Sequence, residues 1–219
     1  MVQAMETHRY WMERCLTLAA RGQGHVSPNP MVGAVIVYNG RVLAEGYHAR
    51  YGEDHAEVQA LNQVPDPGLL RYCTMYINLE PCTHHGKTPP CADRLMEAGI
   101  CEVVIGSLDP NPQVAGAGAE KLREAGVKVI TGVAEEQAHF LNRRFRAQHT
   151  QHMPYVILKW AQSADGFLAD ENGHSGWLSN VYARTLVHQW RAQEDAIMVG
   201  ARTALQDNPQ LTSRQWQGN

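Results

Sequence analysis

Four residues constrain this chain more than anything else in it: His55 and Glu57 in His55-Ala56-Glu57, Cys82 after Pro81, and Cys91 beyond eight intervening residues. An imidazole and two thiolates close three corners of a zinc tetrahedron and leave the fourth open. The open corner separates a catalytic zinc from a structural one, because a water held there has its pKa lowered to about 7. Glu57 need not be a ligand and is placed to take that proton and deliver it elsewhere. Taken singly these signals are weak, since buried cysteines are more often small apolar core residues than ligands. Their order and spacing together carry the argument. One geometric condition follows: residues two apart on a regular helix point roughly 200° apart, so His55 and Glu57 share a site only if His55 lies at a helix mouth.

The order His-x-Glu, then Pro-Cys, then Cys is that of the zinc-dependent nucleobase deaminases. Composition narrows the class further. The 219 residues suit one full domain and part of another. With 19 basic and 22 acidic side chains, a net charge of −3 and only three phenylalanines, the chain lacks the basic field and stacking surface of a nucleic-acid binder. No apolar run approaches the roughly 20 residues that span a bilayer, and the N-terminal stretch, carrying Glu6, Arg9, Glu13 and Arg14, is amphipathic. These features read as soluble and cytoplasmic. Five cysteines, an odd number with two assigned to metal, fit a reducing compartment better than a disulfide framework.

Apolar spacing predicts a helix from Met5 to Ala20, with Trp11 and Cys15 as core residues and Gly22 and Gly24 ending it. Ser27-Pro28-Asn29-Pro30 follows as a rigid extended loop presenting the Asn29 amide. Val32–Val37 and Arg41–Tyr47 are strands joined by Asn39-Gly40, the pair most typical of a tight hairpin. A helix after His55 runs to Pro65, and a strand from Thr74 to Leu79 delivers Glu80-Pro81-Cys82. Pro89-Pro90 opens a helix through Ala98, so Cys91 sits near a helix start, where aligned N–H groups favour a thiolate. Two further units follow: strand Val103–Leu108 with helix Gly118–Ala125, and strand Val127–Thr131 with an amphipathic helix Glu135–Phe145. The alternation implies an α/β fold with a mixed sheet covered on both faces, its later strands parallel. Arg143, Arg144 and Arg146 read as dipole partners on a solvated helix end. Residues 148–153 read as a linker between a first domain (1–147) and the opening of a second α/β domain (154–219), with strands Tyr155–Trp160 and Ala196–Val199 around a helix Tyr182–Gln193.

At this point the motifs resemble those of the bifunctional riboflavin-biosynthesis deaminase/reductase family. The resemblance rests on Ser27-Pro28-Asn29-Pro30 with Val32-Gly33, Gly46-Tyr47-His48, His55-Ala56-Glu57-Val58, the run from Leu79 through Pro81-Cys82 to Pro90-Cys91, and Asp109-Pro110-Asn111-Pro112. It continues through Pro154-Tyr155-Val156, Leu158-Lys159, Ser163-Ala164-Asp165-Gly166 and Asp195-Ala196-Ile197. The resemblance implies a three-layer α/β/α, cytidine-deaminase-like domain followed by the beginning of a dihydrofolate-reductase-like domain. The implied activity is hydrolytic removal of the 2-amino group of 2,5-diamino-6-(5-phosphoribosylamino)pyrimidin-4(3H)-one, and in the whole family an NADPH-dependent reduction of the ribosyl side chain.

Zinc ligands implied by the family fall on His55, Cys82 and Cys91 and its proton shuttle on Glu57. Deaminase substrate contacts fall on Asn29, His48, His84, Lys87, Asp109 and Asn111. In the second domain the nucleotide contacts fall on Ala161, Trp177, Thr203 and Asp207, and the substrate contacts on Ser175, Arg191, Leu211 and Arg214. Two departures stand out. Eight residues separate the cysteines where many base deaminases have two, and the chain ends at Asn219 before the family's later glycine-rich cofactor stretch. The expectation is therefore a cytoplasmic, homo-oligomeric zinc enzyme that takes a phosphorylated small molecule and deaminates it without reducing it. Two rivals are a tRNA or other nucleobase deaminase, and a non-catalytic zinc-stabilised interaction domain, which would have no use for Glu57.

Overall fold

A computed structural model describes residues 2–84, 89–112, 114–171, 173 and 176–218. The chain forms two compact units, Met1–Tyr155 and Val156–Asn219. In the first, α1 (Val2–Ala19) leads through a short 3-10 turn to β1 (Gly33–Tyr38) and β2 (Arg41–Tyr47). Asn39 and Gly40, both at positive φ (49° and 70°), make the hairpin turn whose twist matches its strands. Then come α2 (Ala56–Asn62), a 3-10 helix (Pro67–Tyr72), β3 (Thr74–Leu79), α3 (Cys91–Glu97), β4 (Glu102–Ser107), α4 (Ala117–Glu124), β5 (Lys128–Thr131), α5 (Glu135–Leu141) and α6 (Arg143–Gln151).

The five strands lie in the order β2-β1-β3-β4-β5. β1 pairs antiparallel with β2 and β3, while β3, β4 and β5 run parallel. Successive side chains alternate between faces, and both faces are covered. Ala34, Ile36, Met75, Ile77, Val103 and Ile105 pack with Ala56, Ala60, Leu95 and Leu122 of α2, α3 and α4. Val35, Val37, Tyr76 and Val104 pack with Met12, Cys15 and Leu18 of α1, and Trp11 lies against this second cluster. This is the three-layer mixed-sheet architecture expected from the alternation of elements. Gly46 shows how close the layers come: a Cβ there would collide with the carbonyl of Ala56, so the start of α2 presses directly on β2.

The amphipathic helix expected over Glu135–Phe145 is two helices. Asn142 breaks it, with φ −93° and ψ 24°, because its side chain is used elsewhere: Oδ1 accepts from Met31 N–H at 2.8 Å and Nδ2 donates to Met31 O at 2.9 Å. The second helix continues through residues 148–151, expected as linker, and ends at His152 with φ 54°.

In the second unit, α7 (Val181–Gln193) is capped by Asn180, whose Oδ1 accepts from Ala183 N–H at 2.9 Å, and α8 (Ala201–Asp207) follows. Residues 155–160 and 196–199, expected as strands, form no ladder among the described residues. An isolated extended segment has no partner for its backbone groups, and among the described residues nothing pairs with either. The helix α8 lies where the apolar pattern predicts no element. No helix among the described residues is long and apolar enough to cross a membrane.

Candidate active site

The metal-ligand candidates arrive from three different starts. His55 is the N-cap of α2, with extended backbone (φ −68°, ψ 160°), and Glu57 is in the first turn; the helix mouth required by their spacing is present. Cys82 lies just beyond β3, and Cys91 opens α3 behind its N-cap Pro90. The Nδ1 of His55 and the two sulfurs all lie within 4.8 Å of one another. His55 Nδ1 is 3.3 Å from Cys91 Sγ and 3.7 Å from Cys82 Sγ, and Cys91 N–H donates to Cys82 Sγ at 3.3 Å. One nitrogen and two soft sulfurs converging at this range suit zinc.

Electrostatics agree with that fit. The hydrogen bond from Cys91, aided by His55, draws the Cys82 thiol down to about 4, and the same contact together with burial pushes Cys91 up. A cation held between the two sulfurs would favour the thiolate form of both. Glu57 is 3% exposed, and burial raises its carboxyl above the ordinary range, only partly opposed by His55. That is the direction a proton shuttle needs near neutral pH.

A cavity of about 500 Å³ opens over this cluster. Of the residues implied for the deaminase, Asn29, His48, His55, Glu57, Cys82, His84, Asp109 and Asn111 reach its wall, Cys91 lies fully buried behind it, and Lys87 falls outside the described residues. Asn29 Nδ2 is 3.1 Å from His48 Nε2, while His48 Nδ1 is 3.2 Å from Asp54 O. Burial lowers the His48 pKa, and its ring meets that of His55 edge-on at 5.4 Å. Asp109 is pushed up, chiefly by burial, and its Oδ1 accepts from Asn111 N–H at 2.8 Å.

The second unit gathers a cavity of about 390 Å³. Trp177, Arg191, Asp207, Leu211 and Arg214 line it beside Lys159 and Arg184. Ala161 and Thr203 are not on its wall, and Ser175 lies outside the described residues. Arg191 donates to Thr212 O at 3.1 Å, Arg214 to Thr212 Oγ1 at 2.9 Å, and Arg184 sits 4.6 Å over the Trp177 ring.

The profile of the cytidine and deoxycytidylate deaminase zinc-binding region matches residues 5–107, and that of the RibD C-terminal domain matches residues 154–219. The riboflavin biosynthesis protein RibD of Actinobacillus pleuropneumoniae is 49% identical over 93% of this chain and 54% of its own length. That of Aquifex aeolicus is 45% identical over 95% and 58%. Nearly the whole chain is thus similar to RibD proteins. A solved structure agrees: the diaminohydroxyphosphoribosylaminopyrimidine deaminase/5-amino-6-(5-phosphoribosylamino)uracil reductase of Thermotoga maritima superposes with a TM-score of 0.92 at 46% identity, covering 99% of this chain and 62% of that one. The chain therefore spans somewhat over half the length of the RibD relatives it matches.

Several further residues shape this site, most of them without a signal among the motifs. Glu80, 4% exposed, accepts from four backbone N–H groups, those of Asp109 (3.0 Å), Gly116 (2.9 Å), Gly118 (2.8 Å) and Ala119 (3.1 Å). It thereby ties the Asp109–Asn111 wall to the end of β3. A Cβ on Gly118 would strike Pro81 O, so only glycine admits this approach. Asn78 accepts from Gly33 N–H at 2.7 Å and donates to Met31 O at 3.0 Å, and with Asn142 it fixes the loop that presents Asn29. Phe145, Gln148 and His149 of α6 form a further wall. The adjacent Glu80-Pro81-Cys82 offered a signal for Glu80; nothing local marks the others.

Proposed function

We propose that the first unit hydrolyses 2,5-diamino-6-(5-phosphoribosylamino)pyrimidin-4(3H)-one to 5-amino-6-(5-phosphoribosylamino)uracil and ammonia, with zinc on His55, Cys82 and Cys91. The observation that carries this reading is a buried carboxyl, Glu57, beside a His/Cys/Cys cluster on a cavity that Asn29, His48, Asp109 and Asn111 also line. The name of the Thermotoga relative, which includes that deaminase step, supplies the substrate class.

Zinc bound there supplies Lewis acidity that brings the pKa of a water to about 7. The chain's own residues do the rest. Glu57 accepts one proton from the attacking water and passes it to the ring nitrogen, then accepts the second proton from the added hydroxyl and passes it to the departing amine, so one carboxylate acts twice as base and twice as acid. Water oxygen replaces the 2-amino nitrogen, and ammonia leaves with no net change in redox state. Asn29 and His48 orient the ring edge, Asp109 and Asn111 supply further polar contacts, and His84 with Lys87, a compact point charge suited to phosphate, receives the phosphorylated arm.

For the second unit, the cluster of Lys159, Arg184, Arg191 and Arg214 around Trp177 has the charge and aromatic surface that an NADPH phosphate and ring system need. We assign residues 154–219 a share of a reductase site of the kind named for the Thermotoga relative. A homo-oligomer in the cytoplasm suits the exposed apolar side chains of this segment and the five free cysteines.

The decisive test is ammonia release by zinc-loaded protein from the phosphoribosyl diaminopyrimidine and, in parallel, from a tRNA anticodon stem-loop. Release from the first alone is expected. Release from the RNA alone, or from neither, would overturn the proposal.

A further inference from the structure

The α6 wall of the deaminase cavity has no part in the chemistry above, yet it is chemically equipped. Asn142 anchors the helix at its start by two hydrogen bonds to Met31, so α6 is fixed to the same loop that presents Asn29. Two of its side chains facing the cavity, Phe145 and His149, stack with ring centroids 4.4 Å apart and an interplanar angle of 56°. The contact holds the His149 ring against Phe145 on the cavity wall. His149, His84 and Asp109 line the same cavity, and both imidazoles are among the groups that act to lower the Asp109 pKa against its burial. Two imidazoles thus line the cavity that Glu57, His55 and Cys82 also line, one on the loop between the cysteines and one on α6.

We infer that His149, held by Phe145, is a specificity-determining residue that hydrogen-bonds the phosphorylated arm of the substrate. The inference rests on the deaminase reading of this site and adds to it a binding group from a part of the chain far from the metal motifs. The geometry favours the arm over the ring, because the ring's reacting carbon must lie by Glu57 and the cluster, and α6 forms a separate wall.

The experiment uses the zinc-loaded full chain and the variants His149→Ala, His149→Gln and Phe145→Leu. On the phosphorylated substrate His149→Ala should raise KM about tenfold, the order expected for losing one charge-assisted hydrogen bond, with kcat within about twofold. On the dephosphorylated substrate the change in KM should nearly vanish. His149→Gln, which keeps an N–H donor, should recover most of the loss, and Phe145→Leu should act in the same direction and add little to His149→Ala. A second readout is independent of turnover: ribose 5-phosphate should bind the wild type about tenfold more tightly than His149→Ala, measured by calorimetry. Equal KM increases on both substrates, or unchanged ribose 5-phosphate binding, would overturn the inference while leaving the deaminase reading intact. His149-dependent ribose 5-phosphate binding without any turnover of the pyrimidine would sink the deaminase reading and keep this one.

Discussion

The two units differ in what an apolar run becomes. In the first, Val35–Val37, Met75–Ile77 and Val103–Ile105 are almost wholly buried, each strand paired on both sides within one sheet. In the second, Tyr155–Trp160 and Ala196–Val199 have the same β-branched and aromatic character but no ladder, and Leu158 and Met198 are 78% and 95% exposed. Strand propensity reflects fit to a pleated, half-buried surface more than any intrinsic backbone preference. A parallel strand in particular is built for burial on both faces. What separates the units is neighbours, not local sequence.

That contrast can be broken in order of expected effect. Cys82→Ser and Cys91→Ser should each abolish zinc binding and bring ammonia release to background, whereas zinc content should be indifferent to Arg191→Ala in the second unit; metal analysis of the three variants checks both arms. Amide exchange should be slower on the order of 10³-fold in β3 and β4 than over residues 155–160 and 196–199. Comparable protection in the two regions would remove the contrast. Asn142→Leu leaves the Met31 N–H without its partner and should cost about 2 kcal/mol of first-unit stability by denaturant unfolding, with no effect on the second unit.

The smallest effect concerns the Arg14–Glu45 pair, bidentate at 2.6 and 2.7 Å. The hydrogen bond from Arg14 holds Glu45 below its ordinary range, so its contribution is present above the unfolded-state value of about 4.5 and is lost as pH falls through the depressed folded value. The pair is largely solvated, at 43% and 23% side-chain exposure, so Arg14→Ala should cost under about 1 kcal/mol at pH 7 and nothing in strong acid. A loss that does not depend on pH would refute the linkage.

How much of this could be read in advance depended on the range of the signal. The convergence of His55, Cys82 and Cys91 was legible because each sits beside a local marker: a helix mouth, a proline after a strand, a proline pair before a helix. The hairpin at Asn39-Gly40 and the alternating elements of the sheet were legible for the same reason. Asn142 was not, since its partner Met31 lies 111 residues away, and its demand on the backbone split a helix whose apolar period looked continuous. Phe145 and His149 were hidden for a related reason: a helix face shows its amphipathic period but not which cavity it faces. The strands expected in the second unit failed because pattern alone cannot supply a pairing partner.

The central claim is that the cluster holds zinc while Glu57 moves the proton. Zinc stoichiometry and ammonia release, measured together on Glu57→Gln, test it most directly. The account predicts a folded protein with the zinc content of the wild type and a rate lower by about 10²- to 10⁴-fold. A folded but zinc-free variant, or one that retains wild-type turnover, would contradict it.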